Sequence, residues 1–138
     1  GFSLTSEVWG AVEQCRKPLE VVSIPSNVGF GEALGLVTAR ARGSLLVKFD
    51  DDGIYGPEHV WDLVLARHFS GANVVGKGAE FVYLEPLEVT VRRRGVESEN
   101  YAKVVTGGTL LRSRGDLDAV GGWRPVTRSV DRGLVCRE

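Results

Sequence analysis

The sequence predicts an α/β domain, a sheet of parallel strands flanked by helices, and three observations carry that expectation. Short apolar runs alternate with stretches of helical periodicity, in the order Leu19–Ile24, Phe30–Ala41, Leu45–Phe49 and Val60–His68. The connections between them are short, and a strand–helix–strand–helix series joined this way builds a parallel sheet. The chain has 138 residues, enough for one domain with a real core and too few for two. A single domain over 1–138 is expected.

Taken in order, Leu4, Val8, Ala11, Val12 and Cys15 recur at helical spacing and predict an amphipathic helix over 4–16. Leu19 to Ile24 is a β-branched run that Pro25 closes. Ser26-Asn27-Val28-Gly29 is loop chemistry. A second helix then carries Phe30, Ala33, Leu34, Val37 and Ala41 on one face, with Gly43 as its stop. Leu45–Phe49 reads as a buried strand. Gly56-Pro57-Glu58 opens a third helix, with proline in the first turn and an acid near the positive dipole end. Its expected apolar face is Val60, Trp61, Val64, Leu65 and His68, the histidine being a core or boundary residue. Asn73–Gly76, Phe81–Leu84 and Leu87–Arg92 read as short strands, the last alternating apolar and polar. Arg92 to Asn100 is a charged loop, its arginines either a solvated turn or a phosphate contact. Thr106-Gly107-Gly108 leads into a strand at Thr109–Leu111, a short helix spans Arg114–Val120, and Gly121-Gly122 stops it. Trp123-Arg124-Pro125 is a loop, and Ser129 onward starts another helix.

Charge and composition exclude several classes. Lys and Arg number 17 against 18 Asp and Glu, so no global field points to nucleic acid or an anionic membrane. No apolar run approaches the roughly 20 residues of a membrane span, and no secretory leader is visible. A cytoplasmic location follows as the expectation. Cys15 and Cys136 lie far apart without metal-type spacing and are expected to be buried thiols rather than a disulfide. The chain contains no methionine and begins at Gly1, as an excerpt from a longer protein would.

The stretch that points to chemistry is Asp50-Asp51-Asp52, directly after the apolar Leu45–Phe49. Three adjacent carboxylates repel one another unless a cation or hydrogen-bond donors neutralise them. Asp50 and Asp52 have like parity and are expected to aim at one site while Asp51 turns away. Hard oxygen ligands in small number, with room for water and phosphate, suit Mg²⁺ or Mn²⁺. The plainer alternative is an acidic turn.

Two other motifs imitate known sites. Gly29-Phe30-Gly31 lies between a strand and a helix, with Asp50 about 20 residues on, as a dinucleotide fingerprint requires. Leu34 takes the place of its third glycine, however, and Pro25 to Val28 inserts extra loop. A helix-loop-helix calcium site fails outright. Aligning Gly53 with its invariant glycine puts Lys48 first and His59 last, where carboxylates are needed.

The ordered series Asn27-Val28-Gly29, Ala41-Arg42-Gly43, Asp50-Asp51-Asp52 and Gly56-Pro57-Glu58 resembles the inverting family 2 glycosyltransferases, which have the GT-A fold. Gly107-Gly108-Thr109, Val120-Gly121-Gly122-Trp123 and Ser129-Val130-Asp131 resemble the second half of that domain in the same order. The resemblance runs from about residue 20 to the end. It implies a GT-A-like mixed sheet flanked by helices, lacking the family's first strand, which would precede Gly1. It also implies that Asp50 and Asp52 form the family's D-x-D element, with Asp52 holding Mn²⁺ or Mg²⁺ on the nucleotide diphosphate. Asp50, Asp51, Asn27, Gly107 and Gly108 would meet the donor, and Asp131 falls where the family assigns its general base. Val130 stands where the family usually carries Glu, and Gly35 where relatives often have Asn or Arg.

The activity implied is transfer of a sugar from a nucleotide-diphosphate donor to a hydroxyl of a glycan or small-molecule acceptor. Charge accumulates on the leaving diphosphate, where a divalent cation stabilises it. The acceptor hydroxyl needs a carboxylate to take its proton. Gly107 and Gly108 would allow a sugar close to the backbone or form a strand-entry bend. Trp123 offers a face to a sugar ring or fills the core. The alternatives are a non-catalytic nucleotide- or sugar-binding GT-A-like module and, further off, an NAD-type Rossmann domain. The 138-residue chain alone is expected to be inactive and, through unpaired strand edges, prone to self-association.

Overall fold

The structure is a computed structural model and describes residues 6–78, 80–93, 99–127 and 130. The fold is mixed α/β, with small antiparallel sheets and helices. Its elements are α1 (Ser6–Gln14), α2 (Phe30–Arg40), β1 (Leu45–Val47), α3 (His59–Ser70), β2 (Val74–Val75), β3 (Phe81–Leu84), β4 (Val89–Arg92), β5 (Leu111–Ser113) and α4 (Arg114–Ala119). None of these helices is long and apolar enough to cross a membrane.

The main sheet has the order β1-β5-β2. β5 lies between the other two and is antiparallel to both, with Leu46 and Val74 facing Arg112 across the two ladders. β1 and β2 therefore point the same way without touching. The expectation of directly paired parallel strands is corrected here. The strand expected at Leu19–Ile24 is corrected too: among the described residues it pairs with nothing, and Leu19 and Val21 are exposed. A β-branched run becomes a strand only when a partner accepts its hydrogen bonds.

Leu63 of α3 packs with Val75 and Leu111, and Val47, Val64 and Ala72 close around them. This face shares Val64 with the one read in the sequence and otherwise differs from it. His59 and Leu63 are buried, one helical turn apart, whereas Val60 and Trp61 are exposed. Both stripes have helical spacing, and the position of the sheet selects between them. His68 is exposed, its ring edge-on to Phe69.

The short α4 is held by its ends. Ser113 and Asp116 form a complete capping box. The Asp116 carboxylate also takes Arg67 Nη2 of α3 at 2.7 Å, while Arg67 Nη1 donates to the Ala72 and Asn73 carbonyls. Arg114 donates to the Thr38 and Ala41 carbonyls at the end of α2. A cation there complements the helix dipole, and Ala41 leaves α2 in extended conformation. The stop expected from Gly43 is thus one residue pair too late. Gly121 and Gly122, with φ of 81° and 76°, do end α4 as read.

β3 and β4 form a separate hairpin in the register Phe81↔Arg92 to Leu84↔Val89. Leu87, expected in the second strand, lies in the 3₁₀ turn Glu85–Leu87. Arg92 pairs with Glu80 at 2.6 Å in an exposed setting, which favours the solvated-turn reading for that arginine. Cys15 is exposed, contrary to the buried thiol expected; α1 lies at the surface, and the thiol makes only a long contact to the Lys17 carbonyl.

Candidate functional site

Three segments meet beyond one end of the main sheet: the chain leaving β1, the chain leaving β2, and the turn entering β5. The β1 ladder extends by one bond, from the Lys48 amide to the Leu110 carbonyl at 2.9 Å. Across the sheet, the Lys77 amide donates to Thr109 Oγ1 at 2.8 Å and the Thr106 amide to the Lys77 carbonyl at 3.1 Å. Gly76 permits this approach, since a Cβ there would lie 2.8 Å from Cβ of Val105. The strand expected at Thr109–Leu111 starts later: Gly107–Thr109 form a 3₁₀ turn, and β5 begins at Leu111.

Asp50 sits at the meeting point. Its Oδ1 pairs with Lys48 Nζ, a side chain only 10% exposed whose ammonium lies 5.6 Å from the Phe30 ring centroid. Its Oδ2 lies against Gly108, where a Cβ would come within 2.6 Å. Only glycine fits at that spot without displacing the carboxylate. The Asp50 backbone is held as well: Tyr55 Oη accepts its amide proton at 2.8 Å and donates to its carbonyl at 3.2 Å.

Beneath this turn Phe49, Tyr55 and His59 form a ring cluster, with centroids 4.6–5.3 Å apart. His59 is 6% exposed, and its Nε2 is buried with no partner among the described residues. Burial, and secondarily the nearby Lys77 charge, push its pKa below the ordinary histidine value, against a smaller opposing effect of Asp62. The imidazole is therefore held neutral. Lys77 and Asp62 pair at 2.6 Å at the exposed rim.

Of the residues singled out from sequence, the structure thus brings together Asp50 and Gly108, with Gly107 preceding Gly108 in the same turn. Asp51 and Asp52 are both exposed on the following turn. The alternation that would turn Asp51 away from Asp52 is not carried this far, because β1 ends at Val47 and the turn replaces the pleat. Asn27 is exposed in the turn before α2, and no described hydrogen bond or ion pair joins it to the aspartates. Asp131 lies outside the described residues, whereas its neighbour Val130 is 1% exposed. Among the described residues no three of His, Cys, Asp and Glu converge as a metal-holding group. Trp123 half-buries its ring and donates from Nε1 to Thr38 Oγ1 at 2.8 Å, which accounts for it as a helix anchor.

Lys48, Tyr55 and His59 are the residues that sequence reasoning missed. Lys48 was findable, since it stands two residues before Asp50 and its long side chain carries an opposite charge within reach of the carboxylate. The glycines of the dinucleotide imitation are also explained. A Cβ on Gly31 would lie 1.7 Å from the Arg124 carbonyl oxygen, and the Gly31 amide donates to Val126 O at 3.0 Å. Protein backbone fills the space in which a pyrophosphate would sit. No family model matches the chain, and no curated protein or solved structure proved significantly similar to it.

Proposed function

We propose that this chain is catalytic-domain sequence of a metal-dependent inverting glycosyltransferase with a GT-A-like fold. It would move a sugar from a nucleotide-diphosphate donor to a hydroxyl of a glycan or small-molecule acceptor. The observation that carries the reading is the seating of Gly108 against the Asp50 carboxylate. Two members of the ordered motif series, far apart in the chain, meet beyond the carboxyl ends of β1 and β2. Ligands of open α/β sheets bind outside that edge.

The donor set fits a hard divalent cation. Asp51 and Asp52 are exposed and have no described partner, while Asp50 already has Lys48 on one oxygen. Mg²⁺ or Mn²⁺ takes one or two carboxylates and leaves its remaining positions to water and phosphate. Asp52 and Asp50 would hold the ion, Asp51 would meet the donor, and the ion when bound would stabilise charge on the leaving diphosphate. Lys48 keeps the net charge of the triad low enough for an anionic donor to approach. Gly107, half-buried in its turn, would meet the donor with Gly108 buried behind it against Asp50, Asn27 would contribute at the rim, and Asp131 would accept the acceptor's proton.

A second reading, a non-catalytic nucleotide- or sugar-binding module, is favoured by one feature. Val130 is buried where the family's acidic residue would stand, so this position supplies no second carboxylate. The NAD-type reading has no such support, because Arg124–Val126 occupies the glycine cleft.

One experiment separates the three. Thermal shifts of the full-length protein are measured with Mn²⁺ plus a nucleoside diphosphate, and with NADH; a ligand stabilises only a state that binds it. Stabilisation by the first pair, lost in Asp52→Asn, is expected. Asp131→Asn should keep that stabilisation and lose roughly 10²–10⁴ in turnover. A shift with NADH alone defeats the proposal, and nucleotide binding without any turnover selects the binding module.

A further inference from the structure

The turn that carries Asp51 and Asp52 is not shaped by the aspartates. Its backbone is closed by a long bond from the Gly53 amide to the Asp50 carbonyl at 3.4 Å and is braced by Tyr55, whose hydroxyl takes the Asp50 amide at 2.8 Å and returns its own proton to the same carbonyl at 3.2 Å. The ring lies over Gly53 so closely that a Cβ there would fall 2.5 Å from both Cζ and Oη. The same hydroxyl stands 3.0 Å from where a Cβ on Gly108 would be, so it also borders the turn entering β5. Phe49 and His59 wall the ring in edge-on contacts, with centroids 4.6 and 4.9 Å away.

His59, which walls the ring, keeps Nε2 buried without a partner among the described residues, a local cost set against the ring contacts.

We infer that Tyr55 is a positioning residue. Its hydroxyl holds the Asp50–Gly53 turn in the conformation that presents Asp52 to a divalent cation. The inference rests on the metal-dependent reading above and deepens it, naming the group that organises the ligands without touching the ion.

The test uses the full-length protein and Mn²⁺ alone, its free concentration followed by electron paramagnetic resonance, for wild type, Tyr55→Phe, Gly53→Ala and Asp52→Asn. Tyr55→Phe keeps the ring and removes only the hydroxyl. Gly53→Ala leaves the hydroxyl and pushes the ring off the turn, so it serves if the first variant folds poorly. Each should weaken Mn²⁺ binding roughly tenfold, the worth of one or two hydrogen bonds. Each should also speed exchange of the Asp50 amide proton by a similar factor. A merely structural tyrosine would lower the melting temperature and leave the affinity of the folded protein unchanged.

The outcomes are separable. If wild type binds Mn²⁺, Asp52→Asn abolishes it and the two turn variants bind like wild type, the role assigned to Tyr55 is wrong and the metal reading stands. If wild type does not bind Mn²⁺, the metal reading fails first and the positioning role falls with it.

Discussion

Two acid-bearing turns in this molecule are treated in opposite ways. At the start of α4, Asp116 accepts from Ser113 Oγ at 2.6 Å, from the Ser113 amide at 3.3 Å and from Arg67 at 2.7 Å. Its pKa is held below the ordinary carboxylate value, chiefly by the Ser113 side chain, against a smaller upward push from burial. After β1, Asp51 and Asp52 stand exposed with no described partner, and only Asp50 is compensated. The first turn joins α3 to α4 and is spent on stability. The second is tied down through its backbone by Tyr55, so that its carboxylates remain unspent. That difference marks which acid is structural and which is available to a ligand.

The comparison is broken most severely at the structural turn. Asp116→Ala removes one half of the capping box and the partner of Arg67, and should destabilise the fold by about 2–3 kcal/mol. Urea unfolding measures this. A loss under about 0.5 kcal/mol would mean that the Arg67–Asp116–Ser113 group does not tie the helices together.

A middle-sized effect is expected from acid. His59 is held neutral with its pKa below the ordinary value near 6.5. Its folded form binds fewer protons than the unfolded chain in that window, so its stability is complete above about pH 6.5 and is lost as pH falls below it. Asp116, also shifted down, keeps its contribution until pH falls below about 4, the ordinary carboxylate range, and then loses it. Stability should therefore decline in two steps on acidification. His59→Leu should remove the upper step and leave the lower, and Asp116→Ala the reverse. A single step common to both variants would contradict the assignment.

The smallest effect should come from the exposed turn. Asp52→Asn is expected to change stability by no more than about 0.5 kcal/mol, on the stabilising side, since it relieves repulsion between neighbouring carboxylates. A loss comparable to that of Asp116→Ala would show Asp52 to be structural after all and erase the contrast.

Local chemistry made much of the fold legible. The glycine pair after α4 acts within one turn of chain, so that helix end could be read directly; the Ser113–Asp116 capping box is equally local but was not read, and α3 begins at His59, beyond the Pro57 expected in its first turn. The two strands of the hairpin were legible for the same reason, though their pairing was not read and Leu87 falls in the turn between them. Within the candidate site, the aspartates and Gly107-Gly108 stood out because their residue types are unusual in such runs.

What local chemistry could not decide were relations across the chain. Whether Leu19–Ile24 is a strand depends on a partner, and none is described. Which stripe of α3 is buried depends on where the sheet passes, and the sheet chose His59 and Leu63 over Val60 and Trp61. The direction of pairing was invisible because β5, late in the chain, inserts between β1 and β2. The sequence by itself determined the helices, the strands of the hairpin and the identity of the acids, since those rest on contacts within a few residues. Only the tertiary structure decided that Gly108 meets Asp50 and that Tyr55 and His59 lie beneath the acidic turn. The first contact forms only after distant segments have been fixed beside one another, and the second depends on how the loop between β1 and α3 folds back over a few residues; no periodicity along the chain encodes either.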